Sequence, residues 1–236
     1  GHRAQRIAHE APHGGHPDPR WTVENFGDVN VPPVAPPSRA TFFIDRPGAA
    51  QSEIRIAMLA PPRSTPDFHV LEVLNTVVGG GFSGRLNLNL REDKGYTYGA
   101  FSSIRYGIRQ SLFLSSAPVE SSVTKEATGE MLSELEALRT WARPVSAEEL
   151  NHAKENLIRG FAQRFETVSQ VAGEIAELEG FGLESGELRH YADQVESVGL
   201  SDLERAAAEY LATDRSILVV VGDGSRVLTG VESIDF

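Results

Sequence analysis

Residues 79–99 form the most informative stretch of the chain, GGGFSGRLNLNLREDKGYTYG. The leucines of this stretch alternate with polar residues as in a strand, yet Leu86 and Leu90 also stand four residues apart, as on one side of a helix. A phosphate-binding loop needs its glycines after a strand, with a closing Lys-Ser or Lys-Thr pair. Here the glycine run follows a segment of helical spacing, so the stretch does not indicate nucleotide binding.

Two strands and a helix are predicted before this stretch. Residues 41–45 form a short strand candidate, and residues 51–59 alternate with a period of two, with Ile54 and Ile56 on one side and Arg55 on the other. Residues 64–67, Ser-Thr-Pro-Asp, combine a hydroxyl cap, an early proline and an early acid. We therefore expect a helix to begin there and to end at the glycine run.

More helices than strands are predicted after the stretch. Residues 96–105 and 110–117 are predicted to pair as a hairpin with Gly107 in the turn. The later predicted elements are a helix opened by Ser121 or Ser122 and ended by Pro144, a helix begun by a capping box at Ser146 and Glu149, a helix over 168–178, a helix begun by a second capping box at Ser201 and Glu204, and a buried strand over 216–221. Because strands cluster early and helices late, the sequence predicts an α+β fold with helices on one face of the sheet.

Composition narrows the classes of function. The 236 residues carry a net charge of −11, which argues against general binding to nucleic acid. No apolar stretch approaches the roughly 18 to 20 residues of a membrane helix, so no membrane span is expected. There is no cysteine, which excludes disulfides and thiolate zinc sites but leaves periplasm and cytoplasm equally open.

One segment formally matches a zinc-peptidase motif. Residues 9–13, His-Glu-Ala-Pro-His, fit H-E-x-x-H, in which two histidines one helical turn apart bind zinc. Pro12 lies inside the required turn and two glycines follow, so a helix through both histidines is disfavoured. We predict no metal site in this chain. Residues 1–40 are rich in proline and are expected to be a linker or the remnant of a preceding segment, and residues 41–236 to be the folded domain.

The central stretch resembles the signature of the C-terminal half of M16, or pitrilysin-type, metallopeptidases. The matching features are a glycine turn, then S-x-R-L, then L-R-E-x-x-G-x-x-Y ending at Tyr98. Residues 47–52, 145–159, 198–211 and 217–222 resemble the neighbouring elements of that family in the same order, so the resemblance covers about residues 41 to 222. It implies the family's half-domain, a mixed or antiparallel sheet packed by helices on one face.

The resemblance also implies a function. In that family one half of the peptidase carries zinc on H-x-x-E-H, and the other contributes an arginine and a tyrosine that contact the substrate backbone. The matching residues here are Arg91 and Tyr98. The resemblance therefore implies a zinc-free, substrate-binding half that acts on unfolded peptides, is inactive alone and offers an edge strand to the peptide. Without the motif, Arg91 reads as a surface arginine at a helix end and Tyr98 as a core tyrosine in a strand.

The resemblance implies partners as well. A zinc-bearing M16 half, on the same polypeptide or a separate subunit, would hold the metal, and this chain would need no cofactor of its own. A homodimer is left open. The alternative function is a purely structural subunit of the same fold with no role in proteolysis, and loss of activity on changing Arg91 or Tyr98 would separate the two.

Overall fold

The structure, a computed structural model, describes residue 35, residues 38–184 and residues 186–234. Within these residues the chain forms five strands: β1 (Ala40–Asp45), β2 (Gln51–Ala60), β3 (Phe101–Arg105), β4 (Ser111–Glu120) and β5 (Ile217–Gly222). Its α-helices are α1 (Phe68–Val78), α2 (Arg85–Asn87), α3 (Thr124–Arg139), α4 (Ala147–Gln163), α5 (Val168–Phe181), α6 (Gly186–Ser197), α7 (Leu200–Tyr210) and α8 (Gly224–Glu232). A π-helix, Leu88–Asp93, continues α2, and short 3₁₀ turns lie at Ser121–Val123 and Thr213–Arg215.

The five strands form one mixed sheet in the order β1-β5-β2-β4-β3. Strands β1 and β5 are parallel and the other neighbouring pairs are antiparallel. The last strand of the chain, β5, therefore lies between the first two, and both of its edges are hydrogen-bonded to neighbouring strands. The α+β prediction with a mixed sheet is confirmed.

Alternation along the strands separates the two faces of the sheet. In β2, Ile54 and Ile56 are fully buried against the helices, whereas Arg55 between them is exposed. Buried side chains from the helices complete this core, among them Met131, Leu135, Leu138, Leu203 and Ala206. On the opposite face, Phe42 and Ile44 of β1 are 55% and 54% exposed. Among the described residues, that face has no covering helix, as predicted.

The first predicted capping box is present. The Ser146 hydroxyl accepts from the Glu149 N–H at 3.1 Å, and the Glu149 carboxylate accepts from the Ser146 N–H at 2.8 Å. The second predicted box, with Ser201 as its cap, is wrong, because α7 begins two residues earlier, with Gly199 as the cap. The carboxylate of Asp202 accepts from the Gly199 N–H at 2.8 Å and thereby caps the earlier start.

Several predicted boundaries differ from the structure. Helix α1 begins at Phe68, after the predicted start at residues 64–67, because those residues form turns closed by the bonds from the Thr65 N–H to the Pro62 carbonyl at 3.0 Å and from the Phe68 N–H to the Thr65 carbonyl at 3.2 Å. The predicted strand 96–105 is extended only from Phe101, and α3 is preceded by a 3₁₀ turn and ends at Arg139. Helices α6 and α8 were not predicted. No helix among the described residues is long and apolar enough to span a membrane.

Candidate functional site

The glycine run folds back on itself between α1 and α2. A methyl group built on Gly84 would lie 2.5 Å from the Cα atom of Gly79, so the two backbones are in direct contact. A hydrogen bond of 3.1 Å from the Gly84 N–H to the Gly81 carbonyl closes the turn. The turn, residues 79–84, is called the glycine loop. Only residues without a Cβ atom allow this approach.

Arg85, directly after the glycine loop, is buried and anchors it to α4. Its guanidinium donates to both carboxylate oxygens of Glu149, at 2.7 and 2.9 Å, and to the carbonyls of Arg143 and Pro144, both at 2.8 Å. Burial by itself raises the pKa of Glu149, but the hydrogen bonds from Arg85 and Ser146 outweigh it and leave that pKa below its ordinary value. This arginine of the motif is therefore structural.

Asn87 connects the glycine loop to the segment before β3. Its side chain is fully buried, donates to the Phe82 carbonyl at 2.8 Å and accepts from the Ala100 N–H at 3.2 Å. The Ser102 N–H donates to the Gly79 carbonyl at 2.8 Å. The outer edge at the start of β3 is thus occupied at two successive donors, the Ala100 N–H by Asn87 of α2 and the Ser102 N–H by the glycine loop. The expected edge strand for a peptide is not available along this part of β3.

The helical interpretation of the alternating leucines is correct. Leu86 and Leu90 are both fully buried, which a strand with the same register would also allow, but the backbone is helical throughout. From Leu88 to Asp93 the helix widens into a π-helix, a form that is rare and frequently found at functional sites. Gly95, with φ of +67°, lets the chain turn away, and the Tyr96 N–H closes this end on the Leu90 carbonyl at 2.8 Å.

Arg91 lies on the π-helix with its side chain 40% exposed. Its Nε atom is 3.4 Å from the Glu92 carboxylate, and its guanidinium carbon lies 5.2 Å from the centre of the Phe82 ring. The Phe82 ring in turn meets Phe101 edge to face, with 5.4 Å between the ring centres. Arg91, Phe82 and Phe101 thus form one continuous stack, called the aromatic stack.

Tyr98 is 89% exposed and lies outside the strands. The alternative interpretation of this residue, a tyrosine in the core of a strand, is therefore wrong. The adjacent Gly99 contacts the edge of the Phe101 ring, because a methyl group built there would lie 2.5 Å from that ring. Gly99, the neighbour of Tyr98, thus contacts the Phe101 ring of the aromatic stack.

Two of the described histidines have partners within the protein. The ring of His69 packs against Phe68 and Tyr191, and burial lowers its pKa. The His152 Nε2 atom lies 3.0 Å from the Ser83 hydroxyl. Among the residues that the structure describes, no group of three or more His, Asp or Glu is placed to hold a metal ion. The formal zinc motif at residues 9–13 lies outside the described residues.

The comparison with family models decides the relationship. The model described as "Peptidase M16 inactive domain" matches residues 19–157, more than half of the chain. The chain belongs to the M16 peptidase family. A comparison with curated protein sequences gives no match.

Solved structures agree with the fold of this M16 inactive domain. A peptidase M16 inactive domain from Pseudomonas fluorescens shares 21% identity with a TM-score of 0.73, over 80% of this chain and 45% of that one. A protease from Helicobacter pylori shares 26% identity with a TM-score of 0.72, over 79% and 45%. The inactive domain of a proposed zinc protease from Bordetella parapertussis shares 23% with a TM-score of 0.63, over 74% and 94%. The M16 domain thus spans about half the length of the first two.

The predicted resemblance is therefore confirmed, and this chain is an inactive domain of the zinc-protease family. The residues that sequence reasoning missed are Phe82 and Phe101 of the aromatic stack. A signal for Phe82 was present, since it is a large apolar residue in a glycine-rich run, and such loops usually lie at the surface. The contact of Phe82 with Phe101, nineteen positions further along the sequence, could not be predicted from a short-range pattern.

Proposed function

We propose that this M16 domain is the zinc-free, substrate-binding half of a zinc peptidase and that Arg91 and Tyr98 hold the backbone of an unfolded peptide. The observation that supports this proposal is a division within the motif. Arg85, Leu86 and Asn87 are buried and hold the fold together, whereas Arg91 and Tyr98 are exposed. Side chains that contribute little to folding are free to bind a ligand.

The two side chains suit a peptide carbonyl. A guanidinium and a phenolic hydroxyl both donate hydrogen bonds, and donors preorganised at a carbonyl oxygen stabilise the negative charge that develops during attack. The Arg91–Glu92 contact is long and exposed, and such pairs contribute about 0–1 kcal/mol. Exchanging that contact for a substrate carbonyl therefore costs little.

The metal chemistry belongs to a second half in this proposal. The described residues do not form a metal site, and relatives of about twice the length leave room for another half of similar size. That zinc-bearing half, on the same polypeptide or on a separate subunit, would supply the activated water. This chain would orient the peptide, bind no zinc of its own and cleave nothing alone.

Strand addition is not the favoured mode of binding beside Arg91. Two outward N–H groups next to the aromatic stack, those of Ala100 and Ser102, already donate within the chain. The other edge strand, β1, is four strands away, or about 19 Å at the usual spacing. Side-chain donors, not a strand edge, are therefore proposed to hold the peptide here.

The test uses the full-length peptidase or the complex with its zinc-bearing half. Hydrolysis of an internally quenched peptide is measured for Arg91→Ala and Tyr98→Phe. We expect kcat/KM to fall about 10²–10³-fold for Arg91→Ala and about 10- to 100-fold for Tyr98→Phe. Arg159→Ala is the matched control, because Arg159 is also exposed and also pairs with a glutamate of its own helix.

Unchanged hydrolysis in both variants would reject the proposal and favour the alternative, a structural subunit without a role in proteolysis. Metal analysis of the chain alone supplies an independent result. Stoichiometric zinc together with peptide cleavage would show that a segment such as residues 9–13 binds metal, contrary to the proposal.

A further inference from the structure

Phe82 is a large apolar residue that is exposed at the surface of the domain. Its side chain is 63% exposed at the tip of the glycine loop. One region of the ring meets the edge of Phe101 and another carries the guanidinium of Arg91, so the ring is positioned by two contacts. Phe82 and the partly exposed Phe101 are in contact, so together they form a contiguous apolar patch at the surface, and such patches mark binding sites.

The backbone beneath Phe82 is fixed as well. Its carbonyl accepts from the buried Asn87 side chain at 2.8 Å. The close contact of Gly79 with Gly84 and the bond from Ser102 to Gly79 hold the two ends of the glycine loop against β3. The ring is therefore presented by a constrained loop, which reduces the entropy lost when a ligand packs on it.

The geometry points to a side-chain subsite on Phe82 and Phe101 that takes a large apolar, preferably aromatic, side chain of the peptide held by Arg91. This inference rests on the proposed function and adds its specificity. A carbonyl bound by Arg91 lies about 2.9 Å from a guanidinium nitrogen, and the guanidinium carbon is 5.2 Å from the Phe82 ring centre. A side chain next to that carbonyl can therefore reach the distance of about 4.5–7 Å at which aromatic rings pair.

Charge and size determine which peptide side chains this subsite accepts. A lysine or arginine side chain on the Phe82 ring would meet the positive charge of Arg91, which already occupies one side of the ring. A small side chain such as alanine would leave most of the ring in water. We expect the order of preference to be phenylalanine, tyrosine or leucine first, alanine or serine next, and lysine last.

The experiment separates selectivity from general activity. Internally quenched peptides with one phenylalanine moved stepwise through an alanine–serine background are hydrolysed by the complete peptidase, and each phenylalanine is also replaced by lysine. At one position, the wild-type protein is expected to favour phenylalanine over alanine by about tenfold. Phe82→Ala should bring the ratio of the phenylalanine rate to the alanine rate close to one, whatever its effect on the absolute rates through Arg91, whereas Phe82→Leu should keep part of the preference.

A control variant, a second test variant and a measurement of stability complete the experiment. Phe42→Ala removes another exposed phenylalanine, 55% exposed on the opposite edge strand, and should leave the preference intact. Phe101→Leu removes the second ring of the subsite and should weaken the preference. Urea unfolding of each variant identifies any loss of fold. If Phe82→Ala is unfolded, Phe82→Leu and Phe101→Leu decide.

The outcomes distinguish this subsite from the proposed function. If Arg91→Ala lowers the rates for all peptides while Phe82→Ala lowers none, or lowers all of them alike, the aromatic subsite is wrong and the proposed function stands. If Arg91→Ala leaves every rate unchanged, the proposed function fails first. A lysine peptide that is hydrolysed as well as the phenylalanine peptide at every position would also reject the subsite.

Discussion

Replacement of Gly84 by alanine tests whether backbone contact holds the glycine loop in place. The new methyl carbon would lie 2.5 Å from the Gly79 Cα atom, 2.9 Å from its nitrogen and 3.2 Å from its carbonyl carbon. Carbon atoms in contact normally stand about 3.5–4.0 Å apart. The loop must therefore open by roughly 1 Å, because all three atoms belong to the backbone and cannot rotate away.

The magnitude follows from what such an opening disturbs. Overpacking in a well-packed region costs about 1–3 kcal/mol. A shift of this size also weakens the bonds from Gly84 to Gly81 and from Asn87 to Phe82, at about 0.5–1.5 kcal/mol for each bond lost. We expect the free energy of unfolding of Gly84→Ala to fall by about 2–4 kcal/mol.

Gly81→Ala is the matched control in the same loop. A methyl group built on Gly81 has no heavy atom within 4 Å, and its φ lies outside the left-handed region. Such a change stabilises by about 0.4–1 kcal/mol through the unfolded chain. Both free energies are measured by urea unfolding with far-UV circular dichroism. If Gly84→Ala is as stable as the wild type, the close contact of the glycine loop does not exist in solution.

Two further predictions concern the rest of the domain. Asp67 accepts from Arg205 at 2.5 and 2.9 Å, and these bonds, with others, lower its pKa. Its stabilising effect is therefore present above the ordinary aspartate pKa of about 3.9 and is lost as the pH falls through the lower folded value. Asp67→Asn should cost about 1 kcal/mol at pH 7, since Arg205 is half exposed, and the difference in unfolding midpoint should vanish in acid; a difference independent of pH would contradict the ion pair. Ile56→Ala, in the core, should cost about 2–5 kcal/mol in urea unfolding, whereas Phe42→Ser on the open sheet face should change stability by less than about 0.5 kcal/mol; equal losses would mean that the open face is covered.

Local patterns predicted those elements whose stabilising contacts are local. The alternation of β2 predicted which side of the strand is buried, and the capping box at Ser146 formed as expected because both partners lie within one helical turn. The start of α1 was predicted wrongly for the opposite reason. Asp67 was predicted as an early acid of the helix, but it precedes the helix and binds Arg205, 138 residues further along the chain.

In the candidate site, too, short-range patterns predicted some features and tertiary contacts decided the others. The motif and its spacing nominated Arg91 and Tyr98 from sequence, and their substrate-binding role stays a proposal. The sequence alone could not show that Arg85 forms an ion pair with Glu149 or that Tyr98 is exposed. Both depend on segments brought together by the sheet and by α4.

The sequence by itself determined the family, the α+β class and the two residues nominated for substrate binding, because these depend on residue types at short, fixed spacings. The tertiary structure decided which motif residues are buried, that Asn87 and the glycine loop occupy the outer edge at the start of β3, and that Phe82 lies between Arg91 and Phe101. The physical reason is that burial and ring contacts depend on distances between segments far apart in the chain. Those distances are set only when the sheet and helices pack together.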